Sequence, residues 1–284
     1  MITQTNLVLH RTSKKSILLD VYNPSNRFET CPIIIFCHGY KGFKDWGAWS
    51  LMAKRFVKAG FNVVKFNFSH NGSTIEQPID FPDLEAFGQN NYSTELDDLK
   101  DVVNWVAHNL SASNSLKQEI YLIGHSRGGG IVTIYAEEDS RIQKVVTLAG
   151  VSDFKSRFVK GEQLKAWKQR GVMYITNGRT KQQMPHYYQF YEDFIENVDR
   201  LTIKRAVSQL KIPLLIIHGN QDTSVLPEEA LKLHQWQPNS QLLFIKEADH
   251  VFNTRHPWIL PDISAELLTA VETMINFFNR IQDI

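Results

Sequence analysis

Apolar positions along the chain follow two rhythms. The first is a set of short runs without alternation: Pro32 to Cys37, Phe61 to Phe68, Ile120 to Ile123, Lys144 to Gly150, Ile212 to Gly219 and Leu242 to Ile245. Runs of this kind are expected of strands covered on both faces. The second rhythm has helical spacing. Trp49, Met52, Ala53 and Phe56 form one stripe between Trp46 and Ala59, with Gly60 as the stop signal. Leu96, Leu99, Val103, Val106 and Leu110 form another, behind Ser93 as the expected cap. Leu267, Val271, Met274, Phe278 and Ile281 mark a closing helix from Asp262 to Ile281. Near the start, Asn6–His10 and Ser16–Tyr22 flank the polar turn Thr12–Lys15 and predict an antiparallel hairpin at a sheet edge. Asn23–Asn26 reads as a turn, and Ser69–Asn91, with Asn71-Gly72, Pro78 and Pro82, as a loop. Strands alternating with helices predict parallel βαβ units with right-handed crossovers. In such sheets ligands sit beyond the carboxyl ends of the strands.

Between the strand at Lys144–Gly150 and the one at Ile212–Gly219 lies a long interruption, Val151 to Lys211. Val172–Thr180 predicts a β-hairpin with Asn177-Gly178 as its turn, followed by a helix from Tyr187 to Asn197. The segment is rich in aromatics: Trp167, Tyr174, Tyr187, Tyr188, Phe190, Tyr191 and Phe194. They are expected either to roof an apolar or aryl pocket or to pack the segment onto the core. Its basic residues, Arg170, Arg179 and Lys181, are expected to face solvent or an anionic substrate.

At 284 residues the chain has the size of one or two domains. Its charges nearly cancel, 31 Lys and Arg against 30 Asp and Glu, which argues against a nucleic-acid surface. Cys31 and Cys37 bracket one expected strand and are read as reduced thiols, which fits a cytoplasmic protein. The first residues lack a signal-peptide pattern, and no apolar run approaches a membrane span. The oligomeric state is left open, a dimer being one option.

The chemistry concentrates at Ile120–Gly130, where an apolar run meets Gly124-His125-Ser126-Arg127-Gly128 and continues into a helix-compatible stretch. A Gly-x-Ser-x-Gly match between strand and helix predicts a sharp turn that exposes the serine hydroxyl. A serine is a poor nucleophile at neutral pH; it needs a base, and the base needs an anion. Asp222 follows the strand at Ile212–Gly219, and His250 follows the last strand. Alone, Asp222 would read as a turn residue before a helix near Pro227, and His250 as a surface histidine. Asp153 is the second choice of acid; Asp249 and Glu247 are too near the base in sequence to reach behind its ring. An acyl-transfer site also needs donors for an oxyanion, and the backbone N–H groups of Tyr40 and Arg127 are expected to supply them. His38 competes with His250 as base but is assigned to bracing the His38-Gly39-Tyr40 loop. Lys41, Lys44 and Asp45 are expected as solvated loop charges rather than as lining of the mouth.

With these residues in hand, the chain resembles the α/β-hydrolase superfamily over nearly its full length. Within it, His38-Gly39-Tyr40-Lys41-Gly42 and Phe66-Asn67-Phe68-Ser69-His70-Asn71-Gly72-Ser73 resemble stretches of the dienelactone-hydrolase, acyl-aminoacyl-peptidase-like and cinnamoyl-esterase-like branch. Ser69-His70-Asn71-Gly72 departs from the branch's glycine-histidine-glycine, and Arg127 stands where glutamine, methionine or leucine is common. Dienelactone hydrolases use a cysteine nucleophile, so Ser126 points away from that activity. The resemblance implies a mostly parallel eight-stranded sheet flanked by helices, with core residues 1–150 and 206–284 and a cap over 151–205 after the sixth strand. It implies an esterase of small carboxylic esters, of aryl or cinnamoyl type, working with Ser126, Asp222 and His250 and without metal or organic cofactor. A peptidase of short or acylated peptides is the alternative, and a non-catalytic ligand-binding protein the third.

Overall fold

The computed structural model describes residues 1–24, 31–110 and 118–280. The chain opens with β1 (Ile2–Arg11) and β2 (Lys14–Asn23), an antiparallel hairpin longer than the two arms expected from sequence. β3 (Ile33–Cys37), α1 (Trp49–Lys58), β4 (Asn62–Phe66), α2 (Leu84–Gln89) and α3 (Tyr92–Asn109) follow. Next come β5 (Ile120–His125), α4 (Arg127–Glu138) and β6 (Ile142–Leu148). The long interruption holds α5 (Gly161–Arg170), β7 (Val172–Thr176), β8 (Gln183–Tyr187), α6 (Gln189–Glu196) and α7 (Ile203–Gln209). The chain returns to the sheet with β9 (Leu214–Gly219), α8 (Pro227–Trp236), β10 (Gln241–Ile245) and α9 (Ala265–Asn279).

Among the described residues the main sheet has eight strands in the order β1-β2-β4-β3-β5-β6-β9-β10. β2 pairs antiparallel with β1 and β4; every other pairing is parallel. The unbroken apolar runs are explained by burial on both faces. Ile33, Ile35 and Cys37 of β3 join a core with α3 and α4, while Ile34 and Phe36 join a second core with α1 and α9.

Several local expectations are corrected. α3 is capped by Asn91, not Ser93: the Asn91 Oδ1 accepts the Thr94 N–H at 2.7 Å. Asparagine caps as well as serine, and starting earlier lets Tyr92 turn into the core and stack on Phe154 at 3.8 Å. The Ser69–Asn91 stretch contains α2, capped by Asp83, which accepts the Ala86 N–H. β7 and β8 are joined by residues 177–182 rather than by a two-residue turn. Gly178 is not in the left-handed region, and the Asn177 side chain folds the loop by accepting the N–H groups of Arg179 and Thr180. Tyr187 consequently ends β8, and α6 begins at Gln189. α9 starts behind Ser264, whose hydroxyl accepts the Leu267 N–H. Ile281 of the expected closing stripe, and Ser25 and Asn26 of the expected turn, lie outside the described residues. Among the described residues no helix is long and apolar enough to cross a membrane.

Candidate active site

β5 and α4 meet at Ser126, whose backbone adopts φ 57° and ψ −119°. A non-glycine residue held there is strained by roughly 1–3 kcal/mol, and the surroundings must over-determine it. They do so by close packing. A Cβ on Gly124 would stand 2.2 Å from the Gly128 carbonyl oxygen, and one on Gly128 would stand 2.5 Å from that of Cys37. The Ser126 N–H donates to the Leu148 carbonyl of the neighbouring strand at 2.9 Å. The turn therefore projects the serine at the carboxyl edge of the sheet.

Two other segments converge on it. The loop after β9 carries Asp222, and the loop after β10 carries His250. His250 Nε2 lies 3.0 Å from Ser126 Oγ, and His250 Nδ1 lies 2.7 Å from Asp222 Oδ2. Asp222 Oδ1 accepts the N–H groups of Ser224 and Val225 at 2.8 and 2.9 Å. Burial alone would raise the Asp222 pKa. Hydrogen bonds from His218 and His250, the charge interaction with His250 and the Val225 N–H outweigh it and hold the carboxyl well below its usual range. Asp153 lies elsewhere: it is exposed, and its carboxylate accepts the N–H groups of Lys155 and Ser156. Asp249 likewise turns to the N–H groups of Val251 and Asn253.

Two histidines that the sequence reading did not use support this chain. His218, at the end of β9, puts Nε2 3.3 Å from Asp222 Oδ2 and 2.8 Å from the Val225 carbonyl. Its signal was a histidine inside an apolar run four residues before the acid. His125 Nε2 donates to the His250 carbonyl at 2.9 Å, fixing the backbone of that loop. Burial, then the charge of His250, lowers the His125 pKa to about 3, so its ring is neutral.

The loop after β3 faces the serine from the other side. His38 has both ring nitrogens committed: Nε2 accepts the Phe68 N–H at 3.2 Å, so Nδ1 carries the proton and donates to the Gly39 carbonyl at 2.9 Å. Burial lowers its pKa to about 4. Among the described residues neither the Tyr40 N–H nor the Arg127 N–H has a hydrogen-bond partner. Lys44 and Asp45, expected as solvated loop charges, instead join a largely buried ion-pair cluster. Lys44 Nζ and Lys65 Nζ each lie 2.8 Å from an Asp20 oxygen, and both also pair with Asp45. Asp20, Lys44 and Lys65 are fully buried, so the cluster is a fixed footing for the loop.

Beyond Ser126 opens a cavity of about 370 Å³, walled by Phe154, Phe158, Trp167, Met173 and Phe190. Trp167 and Phe190 thus reach the cavity from the interruption. Phe194 packs against Tyr92 and Phe158, Tyr187 bonds the Glu85 carboxylate, and Tyr174 is exposed. Tyr40 Oη meets His186 Nε2 of β8 at 2.9 Å, tying the loop after β3 to the β7–β8 hairpin.

Arg127 was expected to contribute only its backbone. Its guanidinium in fact lies 4.3 Å from the Tyr40 ring centroid and pairs with Glu95 of α3 at 3.2 Å. Glu95 and Asp98 are charged residues on the largely apolar buried face of α3, which was the signal in the sequence.

Comparison with known proteins places the fold. Residues 32–173, half of the chain, match the α/β hydrolase fold family model, and the chain belongs to that family. It is 25% identical over 248 residues to an uncharacterized 31.7 kDa protein of Escherichia coli, covering 77% of this chain and 82% of that one. It is 23% identical over 219 residues to Lipase 1 of Psychrobacter immobilis, covering 68% and 69% of the two chains. The structure of Est1E from Butyrivibrio proteoclasticus with ferulic acid bound superposes with a TM-score of 0.70 at 18% identity, over 93% of this chain and 94% of that one. The fold is thus that of α/β hydrolases, with esterases and a lipase among its relatives and structural neighbours.

Proposed function

We propose that the protein is a serine hydrolase that cleaves small carboxylic esters through an acyl-enzyme. The observation that carries this reading is the unbroken chain Ser126 Oγ, His250, Asp222, at 3.0 and 2.7 Å. In this mechanism Ser126 Oγ attacks the ester carbonyl while His250 Nε2 takes its proton. The imidazolium is stabilised by the Asp222 carboxylate at Nδ1. The tetrahedral oxyanion is held by the N–H groups of Tyr40 and Arg127, which have no acceptor among the described residues. Collapse breaks the bond to the alcohol oxygen, which leaves with the proton from His250. Water, deprotonated by the same imidazole, then attacks the acyl-serine and frees the acid, and the proton returns to Ser126.

Residues 151–205 act as a cap over this site. The aromatic wall of the cavity suits apolar and aryl acyl groups, and ferulic acid bound to a structural neighbour makes aryl esters the first to try. A fluorophosphonate probe and a panel of p-nitrophenyl esters test the reading. Labelling and nitrophenol release should both vanish in Ser126→Ala. Labelling that persists in this variant, or faster cleavage of aminoacyl anilides than of esters, would replace it with another nucleophile or a peptidase.

A further inference from the structure

The cavity beside Ser126 is lined by three cationic side chains, Lys41, Arg127 and Arg157, and among the described residues by no carboxylate. Of the other basic residues of the interruption, Arg179 pairs with Asp80 and borders an adjoining pocket that also touches Lys41, Ser126 and His250, and Lys181 bonds the Gly178 carbonyl. Arg157 is satisfied by Glu229. Arg127 is satisfied only in part. It meets Glu95 through one nitrogen, Nη1, and Glu95 Oε2 is buried without a partner, so the pair is not the two-bond fork that arginine and carboxylate can form. A guanidinium has five N–H donors; among the described residues no other hydrogen bond uses the rest of those on Arg127. Lys41 has no ion-pair partner among the described residues; its ammonium lies 5.0 Å from the centroid of the same Tyr40 ring that Arg127 approaches at 4.3 Å.

Two cations therefore approach one aromatic ring, and the Glu95 carboxylate that Arg127 meets is not among the residues lining the cavity. Burial first, and then repulsion from Arg127, lowers the Lys41 pKa. Bringing like charges together in a partly desolvated cavity costs free energy, and an anion bound in the cavity that both residues line would offset it. His186 does not add a third charge, because burial and these two cations press its pKa down to about 4.

We infer that the cavity is a carboxylate-recognition site, and that the preferred substrate is a hemiester of a dicarboxylic acid whose free carboxylate sits against Arg127 and Lys41. The inference rests on the proposed esterase reading and names its substrate class. The apolar wall takes the methylene or aryl stem, and hydrolysis of the ester by one water yields the dicarboxylate and an alcohol.

The experiment compares monoethyl esters of succinic, glutaric and adipic acids with ethyl butanoate, pentanoate and hexanoate, at pH 7.5 and low salt. Turnover is followed by acid release, with Ser126→Ala protein as the blank. Binding of the same compounds to Ser126→Ala protein is measured by calorimetry. At least one hemiester should exceed its neutral match by tenfold or more in kcat/KM and in affinity. That ratio should fall several-fold in 0.5 M sodium chloride and approach one in Lys41→Met. Because Arg127→Gln alone would strand Glu95, the second variant is the double replacement Arg127→Gln with Glu95→Gln, which should also lower the ratio. Equal binding of charged and neutral esters, or a ratio unchanged in both variants, would overturn the site. Preferential hemiester binding without turnover of any ester would instead sink the esterase reading and leave the carboxylate site standing.

Discussion

His218 and His250 approach the same oxygen of Asp222, at 3.3 and 2.7 Å. The carboxylate is thus oriented by a second imidazole that never reaches the serine. His218→Leu removes that partner without touching the Ser126–His250 contact. The expected result is a kcat lowered by about tenfold with KM little changed, and a stability loss of about 1–3 kcal/mol. Steady-state kinetics and urea unfolding on the same preparation separate the two effects. An unchanged kcat would reduce His218 to packing.

Asp222→Asn leaves the shape of the site but loses the anion that sets the His250 tautomer. Turnover should fall by about 10³–10⁴. Asp153→Asn, at an exposed turn, should leave kcat/KM within a factor of about two. The reverse ranking in an ester assay would move the acid role to Asp153.

At Gly128 the added methyl of alanine would stand 2.5 Å from the Cys37 carbonyl oxygen and 2.7 Å from that of His38. Neither is a flexible side chain, so α4 or the strand end must shift. Gly128→Ala should cost about 1–3 kcal/mol. It should also weaken labelling of Ser126 by a fluorophosphonate, because the shift moves the turn itself. A variant of wild-type stability and labelling rate would show that the helix yields freely.

Beneath the loop after β3, Lys65→Met leaves Asp20 buried with one cation fewer. Breaking a buried pair in this way typically costs about 3–5 kcal/mol, readable as a fall in the urea midpoint. Asp45 supplies a pH signature. Burial alone would raise its pKa, but Lys65 and Lys44 pull it down to about 2. A carboxyl depressed on folding contributes stability that is present above about pH 4 and lost as pH falls towards about 2. The stability gap between wild type and Asp45→Asn should accordingly narrow over that window. A gap constant from pH 6 to pH 2.5 would contradict the pairing.

The strands were legible because both faces of the sheet are covered, which turns each central strand into an unbroken apolar run such as Ile33–Cys37. Ser126, Asp222 and His250 could be named because each directly follows a strand, where a parallel sheet gathers its loops. Side-chain partnerships across the sequence were less visible. Nothing in the spacing of Lys44, Lys65 and Asp20 says that a hairpin strand, a loop and a central strand pool their charges. Nor does the motif around Ser126 reveal that the Arg127 side chain crosses to Glu95. The caps failed for a different reason: Asn91 and Ser93 are chemically equivalent as caps, and only the burial of Tyr92 chooses between them.

In the proposed mechanism Tyr40 gives its peptide nitrogen to the oxyanion, while its phenol meets His186 of the β7–β8 hairpin. These are separable parts of one residue, since any amino acid except proline keeps the nitrogen. Position 40 is therefore a natural place for divergence: exchange of its side chain would retune how the β7–β8 hairpin seats on the loop after β3, while the backbone N–H would remain.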